Sequence, residues 1–125
     1  MNVPNDLLYT SDHEWVSVVG NVATIGITDF AQEELGDIVF VEFPELNSTV
    51  EKGQSAGSIE AVKTVADLYM PITGTVIEVN ENLDNNPEAV NDTPYGDGWM
   101  VKVEIANQDE ISDLLTATAY DDLIS

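Results

Sequence analysis

Apolar and polar positions follow a period of two over most of this chain, the signature of half-buried strands. Glu14–Val19 and Val22–Thr28 are runs rich in β-branched residues, and Gly20-Asn21 between them predicts a two-residue hairpin. Asp29–Gly36 reads as a short helix. Thr28 or Asp29 opens it, acids fill its first turns, and Gly36 closes it. Ile38–Phe43 follows as a strand, with Val39 and Val41 on one face, Ile38, Phe40 and Glu42 on the other, and Pro44 as its stop. Ser55–Val62, Val65–Ile72 and Thr75–Val79 read as further strands, with Thr73-Gly74 as a turn. Lys63 lies ten positions after Gly53 and eleven before Gly74, which predicts a hairpin over about 55–73 with this lysine at its tip.

The period then breaks. Glu81–Pro87 is polar and Asn-rich, a loop, and Pro87–Val90 has room for one helical turn. Pro94–Gly98 is a turn, and Trp99–Ile105 is the last strand. Over 107–125, the pairs Asn107 with Glu110 and Thr118 with Asp121 predict N-caps of two helical pieces, with Leu114, Leu115, Tyr120, Leu123 and Ile124 facing the core. Short strands with peripheral helices predict a mainly β fold, a small antiparallel β-sandwich or partly closed barrel.

The length of 125 residues suits a single domain spanning 1–125, and 43% hydrophobic content argues against global disorder. Charge changes the picture more. There are 24 Asp and Glu against three cations, a formal net charge of −21. Three cations cannot neutralise a phosphate track, and an anionic membrane repels such a surface, so neither nucleic acid nor membrane is expected as a partner. The first residues, Met1–Asp6, have no cationic stretch leading into an apolar one, so a cytoplasmic protein is expected. Self-repulsion at this charge costs stability at low salt. Two explanations stand side by side: adaptation to a salty interior, or acids that face basic partner proteins.

Candidate chemistry is sparse. His13 is the only imidazole, no Cys exists, and no G-x-S-x-G elbow, P-loop or dinucleotide fingerprint occurs. Carboxylate pairs carry no information among 24 acids. No thiolate metal site can form, and the chain is not expected to be an enzyme. The cations are Lys52, Lys63 and Lys102. Lys63 can be read as a surface lysine paired with an acid, contributing at most about 1 kcal/mol. Taken as a bare lysine, that is the preferred reading; the other is an acylation site, since a lysine on a tight tip presents a flexible, accessible amine and group carriers need such a presentation.

Several blocks occur in order: His13-Glu14-Trp15-Val16, Ala23–Thr28, Ala31-Gln32, Leu35–Val41, Glu60-Ala61-Val62-Lys63, Asp67-Leu68-Tyr69, Pro71–Gly74, Pro94–Met100 and Leu114-Leu115. In these the chain closely resembles the H proteins of the glycine cleavage system, over nearly its whole length. The resemblance implies a barrel-sandwich hybrid of the lipoyl and biotinyl type, with lipoate amide-linked to Lys63. It implies a shuttle that takes an aminomethyl group from glycine decarboxylase, a pyridoxal-phosphate enzyme, to aminomethyltransferase, which uses tetrahydrofolate. Reoxidation falls to dihydrolipoyl dehydrogenase, with FAD and NAD. The loaded arm would fold back into a cleft where Glu14 and Asp67 hold its ammonium, with Asp12 as a further contributor and Glu34 beside the docked arm. Glu60, Val62 and Thr64 flank the lysine and would help a lipoyl-attaching enzyme recognise the hairpin. His13, Trp15, Trp99 and Met100 are read as packing residues. A shuttle is expected to work as a monomer.

Other readings differ at named residues. Biotinyl hairpins usually present Met-Lys-Met, whereas this chain has Val62-Lys63-Thr64. A lipoyl donor to other proteins would share every block. An unmodified acidic binding module would keep its function in Lys63→Ala.

Overall fold

A computed structural model describes residues 2–125. The strands are β1 (Leu8–Tyr9), β2 (Glu14–Val19), β3 (Val22–Ile27), β4 (Ile38–Glu42), β5 (Thr49–Val50), β6 (Ser55–Ala61), β7 (Val65–Tyr69), β8 (Gly74–Val79) and β9 (Val101–Ile105). The helices are α1 (Asp29–Leu35), α2 (Asn82–Asn85), α3 (Ala89–Asp92) and α4 (Ala117–Ile124), with a 3-10 helix over Gln108–Asp113. Six strands form one antiparallel sheet in the order β1-β2-β3-β9-β8-β5, and three form a second, β4-β6-β7. The apolar core joins the two: Val16, Ile25 and Val103 from the larger sheet meet Ile38, Val41, Ile59 and Leu68 from the smaller. This is the mainly antiparallel sandwich that the strand pattern predicts.

The Gly20-Asn21 hairpin forms as expected, with Val19 opposite Val22 and Glu14 opposite Ile27. The left-handed φ of 61° at Gly20 suits glycine in such a turn. Thr28 rather than Asp29 caps α1, accepting from Ala31 N with its hydroxyl. The long hairpin also forms. Ala61 N donates to Thr64 O at 2.8 Å, which closes a turn with Lys63 at its tip, and Val62 N donates to Asp37 O at 3.0 Å, which ties that tip to the start of β4.

Four local expectations are corrected. Alternation in β4 is broken by a bulge between Ile38 and Phe40. Ile38 and Val41 point inward while Val39 and Phe40, adjacent in sequence, are both exposed. The last helix is capped by Thr116, not Thr118, because the Thr116 hydroxyl reaches Ala119 N. Leu123, expected in the core, is exposed. The last strand begins at Val101, since the carbonyls of Asp97 and Trp99 are taken by the Asn80 amide. Two further differences are smaller. Asn107 does open the 3-10 helix, but Glu110 turns away to accept from Thr73 N and Oγ1. The Asn-rich loop contains the single turn α2, which buries Leu83.

A second apolar cluster sits on the far side of β1 and β2, built from Tyr9, Trp15, Ala117 and Tyr120. The rings of Tyr9 and Tyr120 stack at 4.7 Å. The Tyr120 hydroxyl lies 2.7 Å from Thr28 Oγ1 and 2.8 Å from His13 Nδ1. Trp15 is buried, and its Nε1 donates to Pro94 O at 2.9 Å. Among the described residues, no buried side-chain nitrogen or oxygen lacks a partner.

Candidate functional site

A cleft of about 370 Å³ opens between α1, the start of β2 and the hairpin strands. Its walls are apolar, from Ile27, Phe30, Ala31, Leu35, Ile59 and Ala66. Four acids line it as well: Asp12, Glu14, Glu34 and Asp67. The expected arm-holding residues are thus brought into one hollow from three separate elements.

Glu14 is the unusual member. It is the first residue of β2 and only 2% exposed. Its position follows from the turn before it, where His13 takes a left-handed φ of 69° and Thr10 N donates to Glu14 O. Thr10 Oγ1 donates to Glu14 Oε1 at 2.6 Å, and Tyr69 N donates to Oε2 at 3.3 Å. The carboxyl therefore bridges the two sheets. Burial pushes its pKa up to about 7, and the nearby Asp12 charge adds to the rise, against the lowering effect of the bonds from Thr10 and Tyr69. No lysine lines the cleft. A carboxyl so placed, without a counter-ion, favours a cationic guest, since charge-assisted hydrogen bonds would replace the solvation it has lost.

Asp67 faces the same space from β7 but is exposed. Ser55 Oγ donates to its Oδ1 at 3.3 Å and Tyr69 Oη to its Oδ2 at 3.4 Å. Asp12 and Glu34 are exposed at the rim. His13 also lines the cleft, with its ring 4.7 Å from that of Phe30. Burial lowers its pKa, opposed by the charges of Asp12 and Glu34.

Lys63 lies outside the cleft, exposed at the hairpin tip. Lys52 pairs with Asp113 at 3.2 Å and Lys102 with Glu78 at 4.0 Å; among the described residues Lys63 has no ion pair. Its stem runs over Gly36, the residue after the cleft-lining Leu35. A Cβ built on Gly36 would stand 3.3 Å from Lys63 Cε and 3.8 Å from Nζ. The lysine stem thus rests on the residue next to a cleft wall, a placement that fits an acyl group on Nζ lying back towards Glu14. Glu60, Val62 and Thr64 surround the lysine, on β6 and in the turn.

Sequence reasoning missed Thr10, which anchors Glu14, and read Gly36 only as a helix stop. Thr10 gives no signal, because its bond to Glu14 depends on a turn shaped by His13. Glycine at a helix end is so common that its second use, as a bed for the lysine stem, is invisible without coordinates.

The family model for the glycine cleavage H-protein matches residues 7–125. This chain belongs to the glycine cleavage H-protein family. It is similar to the glycine cleavage system H protein of Staphylococcus haemolyticus, 52% identical over 124 residues, which covers 99% of this chain and 98% of that protein. Among solved structures it is similar to a glycine cleavage system H protein from Mycobacterium marinum, with a TM-score of 0.88 and 39% identity, over 96% of this chain and 97% of that one. Membership makes the chain a shuttle of the glycine cleavage system, a carrier component and not an enzyme. No helix is long and apolar enough to cross a membrane.

Proposed function

We propose that Lys63 is the attachment point of a lipoyl group and that the acid-lined cleft shelters its aminomethyl cargo. The observation that carries this reading is a Lys63 stem lying over Gly36, next to the cleft-lining Leu35, with neither Lys63 nor the buried Glu14 of that cleft in an ion pair among the described residues. A lipoyl group supplies a disulfide able to accept the aminomethyl unit, which ends in a protonated amine. Glu14 offers that ammonium a desolvated carboxylate, and Asp67 a second one across the hollow. Asp12 and Glu34 add negative potential at the rim. Phe30, Leu35 and Ile59 keep water from the cargo carbon, and with it hydrolysis.

The partners in this reading are glycine decarboxylase with pyridoxal phosphate, aminomethyltransferase with tetrahydrofolate, and dihydrolipoyl dehydrogenase with FAD and NAD. A lipoyl-attaching enzyme acts before them and reads Glu60, Val62 and Thr64 around the lysine. The test is intact mass and peptide mapping of protein produced with and without lipoic acid. A lipoyl-sized addition confined to the Lys63 peptide, and lost in Lys63→Ala, is expected. An unmodified Lys63 in the presence of lipoate and a competent ligase would overturn the reading.

A further inference from the structure

Four apolar side chains crowd the outside of the smaller sheet at its lysine end. Val62 is 75% exposed, Val65 62%, Val39 52% and Phe40 44%. Two of them are there because of the β4 bulge. A regular strand would turn one of Val39 and Phe40 inward, whereas the bulge sends both into water. Phe40 stands opposite Glu60, and Glu60 opposite Val65, so the three form one row across β4, β6 and β7. Val62, in the turn that follows β6, is tied by its N–H to Asp37 O, just before the start of β4. Exposed apolar residues are unremarkable singly, but a contiguous set around a reactive amine marks a contact surface.

We propose that Val39, Phe40, Val62 and Val65 form the docking patch for the enzyme that acylates Lys63, whose matching surface is an apolar hollow rimmed by lysine and arginine. This rests on the attachment of an arm to Lys63 put forward above. Charge selects the class of partner. Glu60 stands between Phe40 and Val65, Asp37 accepts from Val62 N, Glu42 ends the strand that carries Val39 and Phe40, and Lys63 directly follows Val62. A second copy of a chain with net charge −21 repels this surface, as does an anionic lipid. A basic rim is drawn to it. Reach selects the member of that class. The acylating enzyme must bring its reacting carbonyl to an Nζ borne on a single lysine stem, so its surface has to close over the tip and the strand beside it. Enzymes that work on the far end of a finished arm can stand off by the arm's length. The patch therefore serves attachment, and β4, distant from Lys63 in sequence, contributes half of it.

The experiment measures kcat/KM for lipoylation of the full chain by a lipoate-protein ligase, read by mass spectrometry. The variants are Val39→Ser/Phe40→Ser and, separately, Val65→Thr, which keeps a β-branched residue in its strand. Thermal melting confirms that each is folded. Leu46→Ser/Ile77→Ser removes exposed apolar groups from another hollow and is the control. The double variant is expected to lose roughly tenfold in kcat/KM, mostly through KM, the scale of apolar residues at an interface centre. Val65→Thr should lose less, the control nothing, and added salt should slow attachment to the parent. Unchanged attachment in both patch variants would overturn the proposal. So would a loss confined to reactions of an arm already in place. A parent chain that is not modified on Lys63 at all would instead remove the function proposed above, and this inference with it.

Discussion

The six-stranded sheet and the three-stranded sheet handle their outer surfaces in opposite ways. Beyond β1 and β2 of the larger sheet, a second apolar cluster covers the surface, and its polar atoms are paired: Tyr120 with Thr28 and His13, Trp15 with Pro94, Tyr9 with Pro4. The smaller sheet leaves Val39, Phe40 and Val65 in water. Under the function proposed above, the difference separates two duties. A carboxyl that must receive a charged guest has to be held still and dry, and Glu14 is rooted in the covered sheet. A lysine that must enter another protein's active site has to stand clear, and Lys63 is borne by the smaller one. The cleft lies where the two meet, and the bond from Tyr69 N to Glu14 is the seam.

The seam itself gives the largest effect. Glu14→Gln/Asp67→Asn should speed hydrolysis of a loaded arm by roughly ten- to a hundredfold, the scale of losing charge-assisted hydrogen bonds. Measured release of formaldehyde and ammonia from loaded protein checks this, and an unchanged rate would assign the shelter to the apolar walls alone. The stability of Glu14→Gln alone moves the other way. With the Glu14 pKa pushed up to about 7 from 4.5, the folded chain keeps a proton between these values that the unfolded chain has released. Stability from this group is lost as pH rises through that window. The variant should equal the parent near pH 4 and exceed it at pH 8 by about 1–3 kcal/mol. Urea titrations at the two pH values decide it, and equal stabilities at pH 8 would mean a well-solvated carboxylate.

A comparable change deep in the covered region should act on stability without touching attachment. Tyr120→Phe strands Thr28 and His13 together and should cost about 1–3 kcal/mol. Lipoylation of the variant, measured well below its melting temperature, should match the parent. Slower attachment would show that the two sheets do not divide these duties. The smallest effect is global. Screening of a net charge of −21 should raise the melting temperature by a few degrees between low and 1 M salt, where the Debye length falls to about 3 Å. A flat profile would mean that the acids are too far apart to repel.

How much of this was legible in advance differs by region. The hairpin and its lysine tip follow from the near-equal spacing of Gly53, Lys63 and Gly74, because strand length and turn position are local matters. The gathering of Glu14, Asp67, Asp12 and Glu34 came from family resemblance; nothing in their spacing says that β2, α1 and β7 meet. The bulge in β4 was hidden because Ile38–Val41 is apolar on both faces of a regular strand, so the sequence does not say which residues turn inward, and an extra residue is visible only against the partner strand. β1 and β5, two residues each, are too short to show a period and exist because Val16 and Gly74 offer partners. The choice of Thr116 over Thr118 is settled by tertiary placement, since Tyr120 has to reach the ring of Tyr9.

Tyr120 also has a bearing on how the molecule is made. It leaves the ribosome 92 residues after Thr28 and 107 after His13. At about 5–20 residues per second, the β2–β3 hairpin waits on the order of 5–20 s for that hydroxyl. β3 waits nearly as long for β9, its partner along Val22–Ile25. Through that interval the nascent chain holds an open strand edge and an uncovered Trp15, the features that lead unfinished β proteins to clump. What it also holds is charge: eight of its first 42 residues are acids and none is Lys or Arg. The acidity that burdens the finished fold at low salt is, during synthesis, a guard against the chain's own neighbours on the same message.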